Sequence, residues 1–144
     1  ESHFIMFCTP EYATRHGVPM TLEELGQHNI VSPINEFIVL QQLPVTNLKT
    51  GETTIIKLSD SLACNNSNIV KDVVYSNEII SGGFFFMVSE EIKAGKLIQV
   101  LPEYSFASVK YYQVRHPNEE SVKVQVFAKF IEECILAQNM LYSR

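Results

Sequence analysis

The sequence has little of what several large protein classes require. The apolar run Phe84–Val88 is far shorter than the roughly 18 to 20 apolar residues of a membrane-spanning helix. Basic residues number 11 against 16 acidic ones and are scattered along the chain, so they form no positive patch for a polyphosphate. The composition therefore argues against a membrane-spanning helix and against direct binding of nucleic acid by these residues.

Cysteine is scarce, and its spacing fits no common structural use. Cys8, Cys64 and Cys134 are odd in number and far apart, which argues against a secreted disulfide framework and against a zinc site. The histidines form no pair four residues apart and have no nearby cysteine with which to share a metal. We therefore expect no metal, no cofactor and a reduced, cytoplasmic setting.

Catalytic patterns are missing as well. The stretch SGGFFFMV at residues 81–88 has the spacing of neither a phosphate loop nor a dinucleotide-binding turn, so we interpret it as a buried strand entered by a glycine turn. The paired glutamates fall in predicted helices, where acids favour the helix dipole or face water. Cys64 is the one cysteine expected near a cleft, but no positioned base accompanies it. The sequence therefore predicts no enzyme.

Short strands and short helices alternate along the chain, which is typical of an α/β protein with a parallel or mixed sheet. For residues 33–44 the pattern is compatible with either a loop or a short helix. Strands are predicted at 3–8, 29–32, 45–48 and 53–58, within 81–88, and at 96–101 and 109–114. Helices are predicted after Thr9, from Thr21, from near residue 66 to about Asn77, from Ser89 and from Ser121.

Capping signals set two of these helix starts. Thr9 is followed by Pro10, which fits an N-cap and the first helical position. Thr21 is followed three residues later by Glu24, the reciprocal pair in which each side chain bonds the other's backbone N–H.

The long helix predicted from Ser121 has an apolar stripe too wide to face water. Its side chains recur at three- and four-residue steps. We expect Phe127, Phe130 and Ile131 to pack against a neighbouring copy or a rearranged sheet.

The cluster Asn65–Asn68 is the most suggestive polar feature. Backbone N–H groups at a helix start have no partner within the helix, and they attract carboxylates and other anions. Asn65, Asn66 and Ser67 are therefore candidate ligand-binding residues, with plain helix capping as the alternative.

Four phrases of the sequence stand out together. They read CTPEYATRHGVPMTLEELGQHNIV, NNSNIVKDVV, EEIKAGKLIQVLPEY and YYQVRHPNEESVKVQVFAKFIEECI. In this order they resemble the effector-binding domain of LysR-type transcriptional regulators, and the likeness covers nearly the whole chain. Each phrase alone is weak, whereas the combination is specific.

This resemblance implies a fold like that of the type 2 periplasmic binding proteins, with two α/β subdomains, mixed sheets flanked by helices, and a small molecule held between them. Residues 1–144 would be one fragment of such a domain, with crossing strands at 3–8 and 110–114. Residues 9–104 would form the second subdomain, and 119–141 the C-terminal helix of the first. The family's winged helix-turn-helix and the start of its first subdomain have no counterpart in this sequence.

The resemblance also implies a bacterial sensory module that catalyses no reaction. A small-molecule effector, for which an anion is one candidate, would alter a homodimer or homotetramer and so change DNA binding by the winged helix-turn-helix of a longer chain, with no membrane involved. A free-standing periplasmic-type solute-binding protein is the alternative. The implied effector-binding positions are the end of one strand and the start of one helix: Ser32, Pro33, Ile34, Asn35, Asn65, Asn66 and Ser67.

The sequence departs from the family pattern near the implied pocket. Where the family carries G-x-G-I-x-x-x-P, a gapless alignment places its two glycines within residues 76–79 and its proline at Phe84. Alternatively, Gly82 and Gly83 replace the glycine pair across a deletion. The family's usual tryptophan ahead of the hairpin is also missing, because the chain contains none. These differences fall at the floor of the implied pocket.

Overall fold

A computed structural model of the chain describes residues 2–33, 43–57, 61–110, 112, 114 and 121–140. Residues 3–108 form one compact unit, and the long C-terminal helix belongs to a second one. The strands in chain order are β1 Ser2–Cys8, β2 Ile30–Pro33, β3 Leu43–Asn47, β4 Thr53–Ile56, β5 Ser61–Cys64, β6 Ile80–Phe84, β7 Ile98–Val100, β8 Tyr104–Ser105 and β9 Ala107–Val109. The helices are α1 Pro10–His16, α2 Leu22–Leu25, α3 Ser67–Val73, α4 Ser89–Lys93 and α5 Val122–Met140.

The larger unit is built on a mixed sheet with the strand order β5-β2-β6-β1-β7, with β9 paired to β1. Strands β5, β2 and β6 are parallel to one another. Strand β1 is antiparallel to both β6 and β7. A second, three-stranded sheet has the order β4-β3-β8, and its β3–β4 pair is the predicted hairpin. The predicted α/β class with a mixed sheet is confirmed.

Strand β1 is buried on both faces of the main sheet. Phe4 and Met6 contribute to a core that includes residues of α1, α2 and the three-stranded sheet. Ile5 and Phe7 pack on the opposite face with Val74 and residues of the α4 region. Alternate side chains of one strand therefore organise two hydrophobic layers, as the two-residue period of a strand requires.

Several helix ends follow the capping signals in the sequence. The Thr9 side chain accepts a hydrogen bond from Tyr12 N at 3.1 Å, and Thr21 accepts from Glu24 N at the same distance. The return half of the predicted reciprocal pair is wrong, because Glu24 Oε2 accepts from Met20 N instead of Thr21 N.

One strand of the structure is missed by the sequence prediction and another is misplaced, and in both cases pairing with a distant strand decides where the strand forms. Strand β5 was not predicted from the residues Ser61–Cys64, yet it pairs in parallel with β2 over its whole length. A strand was predicted at 109–114, but the strand at this point is β9, which ends at Val109, and Lys110 lies outside it. Strand β9 forms where β1 offers a pairing partner, and intrinsic strand propensity alone cannot locate such a partner.

The two glycines of SGGFFFMV lie in a strand, and a different residue forms the turn before it. Asn77 ends the turn after α3 with a left-handed backbone, φ 63°, which is the conformation that glycine usually supplies at such a position. Gly82 and Gly83 are instead strand residues of β6. The expected glycine turn into this strand is therefore wrong, because Gly82 and Gly83 pair with Met6 and Ile5 of β1.

Helix α5 extends over Val122–Met140 and agrees with the helix predicted from Ser121. Phe127 and Phe130 are 64% and 57% exposed in the single chain. Their packing against a neighbouring copy stays a prediction. In the part of the chain that the structure describes, no helix is both long and apolar enough to cross a bilayer.

Gly82 and Gly83 differ in the room available for a side chain. A Cβ atom at Gly82 would lie 2.7 Å from Phe4 Cε1, whereas one at Gly83 would lie 3.3 Å from Phe7 Cε1. Phe4 is fully buried and lies edge-on to Phe84, so its ring has little freedom to move away.

We expect Gly82→Ala to lower the free energy of unfolding by about 1 to 3 kcal/mol, the usual range for overpacking a core. Gly83→Ala is the matched control and should cost distinctly less. Urea denaturation of both variants measures the difference. Equal stability of the two variants would contradict the proposed close packing of Phe4 on Gly82.

Candidate functional site

The candidate site lies at the carboxyl ends of the parallel strands. In the β2–β5 ladder, Ser32 is opposite Ala63 and Pro33 is opposite Cys64. The chain therefore enters the Asn cluster directly beside the end of β2. Ile34 and Asn35, the other two predicted site residues of this loop, lie outside the described residues.

Strand β6 ends at the same edge of the sheet. Its parallel register with β2 pairs Ile30 with Ile80 and Val31 with Ser81, so the two strands advance together toward Pro33 and Phe84. The buried Ser81 hydroxyl donates to Val70 O at 3.0 Å and ties α3 to this strand. In open α/β sheets, the carboxyl ends of parallel strands are where ligands usually bind.

Asn66 is the N-cap of α3. Its Oδ1 accepts hydrogen bonds from Asn68 N at 3.0 Å and from Ile69 N at 3.3 Å. Asn65 precedes the cap and Ser67 is the first residue of the helix, and both are exposed. The structure thus assigns the capping role to one member of the cluster and places its two neighbours at the surface.

A narrow niche opens beside this helix start. It is lined by Ser67 and Lys71 of α3, by the end of β6, and by the segment that leads into α4. The sequence interpretation included only Ser67 among its site residues. The remaining lining residues come from segments distant in the chain: Phe7, Gly82, Gly83, Phe84, Met87 and Val88.

The charge in the niche is already paired. Lys71 Nζ lies 2.5 Å from Glu91 Oε1, and both side chains are about one quarter exposed. The hydrogen bond from Lys71 lowers the pKa of Glu91 below its ordinary value, so the carboxylate stays charged beside the ammonium group. This neutralised pair leaves the niche with glycine backbone and apolar side chains as its main surfaces.

The described residues offer little reactive chemistry. Cys8 is buried, and burial raises the pKa of its thiol to about 11, which disfavours the nucleophilic thiolate. Cys64 is half-buried at the end of β5, with Sγ 3.8 Å from Asn66 O. Within the described ranges, no three His, Cys, Asp or Glu side chains come together in a way that could hold a metal ion.

Comparison with known proteins agrees with the fold and extends it. A family profile described as the LysR substrate binding domain matches residues 1–134. The chain is 28% identical over 132 residues to the HTH-type transcriptional activator TtdR of Escherichia coli K12, covering 88% of this chain and 40% of that protein. The chain thus spans about two fifths of the length of this curated relative.

Solved structures give the same picture. The regulatory domain of CrgA, a LysR-type transcriptional regulator from Neisseria meningitidis, is 27% identical with a TM-score of 0.66, covering 92% of this chain and 64% of that one. The regulatory domain of AphB from Vibrio vulnificus has a TM-score of 0.71 at 22% identity, with the same two coverages. The AphB likeness is one of fold.

Because Asn66 caps helix α3, substitutions can separate its effect on stability from that of Asn65. We expect Asn66→Ala to lower the free energy of unfolding by about 1 kcal/mol, because two backbone N–H groups lose their acceptor. Asn65→Ala is the matched control and should change stability by less than about 0.5 kcal/mol. Thermal or urea unfolding measures both, and an equal loss in the two variants would show that Asn66 is not the dominant cap.

Proposed function

Because this chain belongs to the LysR substrate-binding domain family, we propose that it is the effector-sensing part of a transcriptional regulator. The match over residues 1–134 carries this proposal. A small molecule bound between two subdomains shifts their arrangement, and contacts within a homodimer or homotetramer pass the shift to DNA-binding segments elsewhere in the complete protein. The protein acts in the cytoplasm, where the DNA is, and the effector is bound without being chemically altered.

We place the effector at the edge formed by the ends of β2 and β5. Ser32, Pro33, Asn65, Asn66 and Ser67 are its proposed contacts, together with Ile34 and Asn35 of the adjoining loop. The pairing of Pro33 with Cys64 supports this choice, because it brings the two described segments side by side. Their polar atoms would bind the polar or anionic part of an effector.

The three residues at the helix start have different proposed roles. Asn66 uses Oδ1 for the cap, so its contribution to an effector is mainly to hold the helix start in place. Asn65 and Ser67 are exposed on either side of it and are the residues that would contact the ligand directly. Binding and stability should therefore respond to different substitutions.

A solute-binding protein of similar fold is the second candidate. The likeness to TtdR and to the CrgA regulatory domain favours the regulator, since both are named transcriptional regulators. The coding sequence upstream of Glu1 distinguishes the two candidates. We expect it to encode a winged helix-turn-helix segment, and a secretory signal followed by the first subdomain would instead establish the solute-binding protein.

Effector binding should depend on Asn65 and Ser67 without depending on stability. In the complete protein, we expect Asn65→Ala or Ser67→Ala to weaken effector binding roughly tenfold, about 1.4 kcal/mol, with an unchanged unfolding midpoint. The effector is found by screening small carboxylates for a change in DNA retention, and affinity is then measured by calorimetry. Asn66→Ala is the comparison, because its affinity loss should follow its stability loss. If every loss of affinity merely follows lost stability, the cluster is a helix cap alone.

A further inference from the structure

The Tyr12 side chain connects the hydrophobic core to two histidines nearer the surface. Tyr12 is 2% exposed and belongs to the core cluster that contains Phe4 and Met6 of β1. Its ring centroid lies 4.8 Å from that of His16 in the same helix and 5.9 Å from that of His28, in the segment before β2. The Tyr12 hydroxyl oxygen is 2.6 Å from His28 Nδ1. One side chain thus ties α1 to the segment that enters β2.

The Tyr12 hydroxyl is the donor in this hydrogen bond. Burial is the largest cause that raises the pKa of Tyr12 to about 12, with Cys8 and Glu78 adding to it, so the hydroxyl keeps its proton. His28 is the partner that the described residues offer to this hydroxyl, and a neutral imidazole accepts it at Nδ1 when its own proton is on Nε2. A protonated imidazole carries a proton on both nitrogens and accepts no hydrogen bond. The buried hydroxyl therefore requires a neutral His28.

The charges around His28 also favour its neutral form. Burial lowers the pKa of His28 below its ordinary value, His16 lowers it further, and Glu24 of α2 acts in the opposite direction. His16 Nε2 has a carboxylate 3.5 Å away, that of Glu78 in the segment before β6, which also accepts from Arg15 Nη1. Among the ion pairs of the described residues, His28 has no carboxylate partner. A positive charge on His28 would therefore lack the compensation that His16 has.

The segment around His28 holds the amino ends of two parallel strands. His28 N donates to Leu25 O of α2 at 3.1 Å, and Asn29 O accepts from Ile80 N, the first residue of β6, at 2.9 Å. Strand β2 begins directly after Asn29. This is the edge of the sheet opposite to the carboxyl ends of β2 and β5.

We propose that Tyr12 and His28 form a proton-sensitive latch at the amino ends of β2 and β6. While His28 is neutral, their hydrogen bond fastens α1 to the segment that enters β2. Protonation of His28 removes the acceptor, leaves the buried hydroxyl without its partner and places a charge beside a core residue, so the segment is released. The latch needs no effector, and it goes beyond the sensing function proposed above.

The sign of the pH dependence follows from the neutral folded form. The unfolded chain takes up a proton on His28 near the ordinary pKa of 6.5, whereas the folded chain does so only at lower pH. The stability that the latch contributes is therefore fully present above about pH 6.5. It is lost as the pH falls through the lowered pKa of the folded form.

Hydrogen exchange in the complete protein tests the release directly. Protection factors, which are corrected for the intrinsic effect of pH on exchange, are compared at about pH 7.5 and about pH 5.5, on either side of the ordinary histidine pKa. We expect protection of residues 25–30 to fall in acid at least about threefold more than that of the hairpin residues 45–54, because the opening is local. An equal change in the two segments, or no change in either, would overturn the proposal.

Nitrogen-15 NMR of the histidine ring gives an independent measurement on the unmodified protein. At neutral pH, we expect His28 Nδ1 to carry no proton, and its titration midpoint should lie below that of an exposed histidine. A proton on Nδ1 at neutral pH, or an ordinary midpoint, would rule the latch out even if a variant failed to fold.

Variants assign the acid response to the latch. His28→Gln cannot titrate but keeps an oxygen that accepts from Tyr12, so the loss of protection in acid should disappear. Tyr12→Phe keeps the ring and removes the hydroxyl, so residues 25–30 should be equally poorly protected at both pH values. His3→Gln is the matched control, because His3 is also half-buried and its Nδ1 lies 3.1 Å from the hydroxyl oxygen of Ser105. An acid response that persists in His28→Gln, or disappears in His3→Gln, would contradict the assignment.

Discussion

The contact between the Phe4 ring and the backbone of Gly82 is the constraint on which the larger unit depends. Strand β1 lies between β6 and β7 and sends large side chains into both hydrophobic layers. A ring as large as Phe4 fits there because its neighbour on β6 has no Cβ, and Gly83 makes similar room for Phe7. The paired glycines thus serve close packing of aromatic rings, and no phosphate is needed to explain them.

The same packing shapes the edge of the sheet at the end of β6. Because Phe4 is fully buried, the Phe84 ring that lies edge-on to it is fixed at the end of β6, and Phe86 stacks on that fixed ring. Gly82 and Gly83 line the narrow niche beside α3 together with Ser67 and Lys71. The arrangement that fills the core with aromatic rings also leaves the Phe86 ring partly exposed just after the end of β6.

Features set by neighbouring residues could be predicted from the sequence. Thr9 and Thr21 cap their helices, and the start of α3 falls within one residue of its expected position. Each of these depends on a side chain and a backbone N–H no more than three residues away. The choice of Asn66 over Asn65 as the cap could not be made in advance, because both residue types and positions suit the role.

Features set by distant pairing could not be predicted. Ser61–Cys64 has neither a strong alternation nor many β-branched residues, and it is a strand because β2 offers it a parallel partner thirty-one residues earlier in the chain. The exposure of Phe86 was missed for a related reason. A run of three phenylalanines predicts burial, but β6 ends at Phe84 and the following 3₁₀ turn directs the next rings differently.

The candidate site combines these two kinds of determinant. Its polar part begins at Asn66, which local chemistry places at a helix start, whereas its apolar part needs β6 to lie beside β2 in one register. A ligand that touches only the polar part would sense the helix cap, which the sequence already reveals. A ligand that also reaches the end of β6 would depend on the pairing of β6 with β2, which neighbouring residues alone do not reveal.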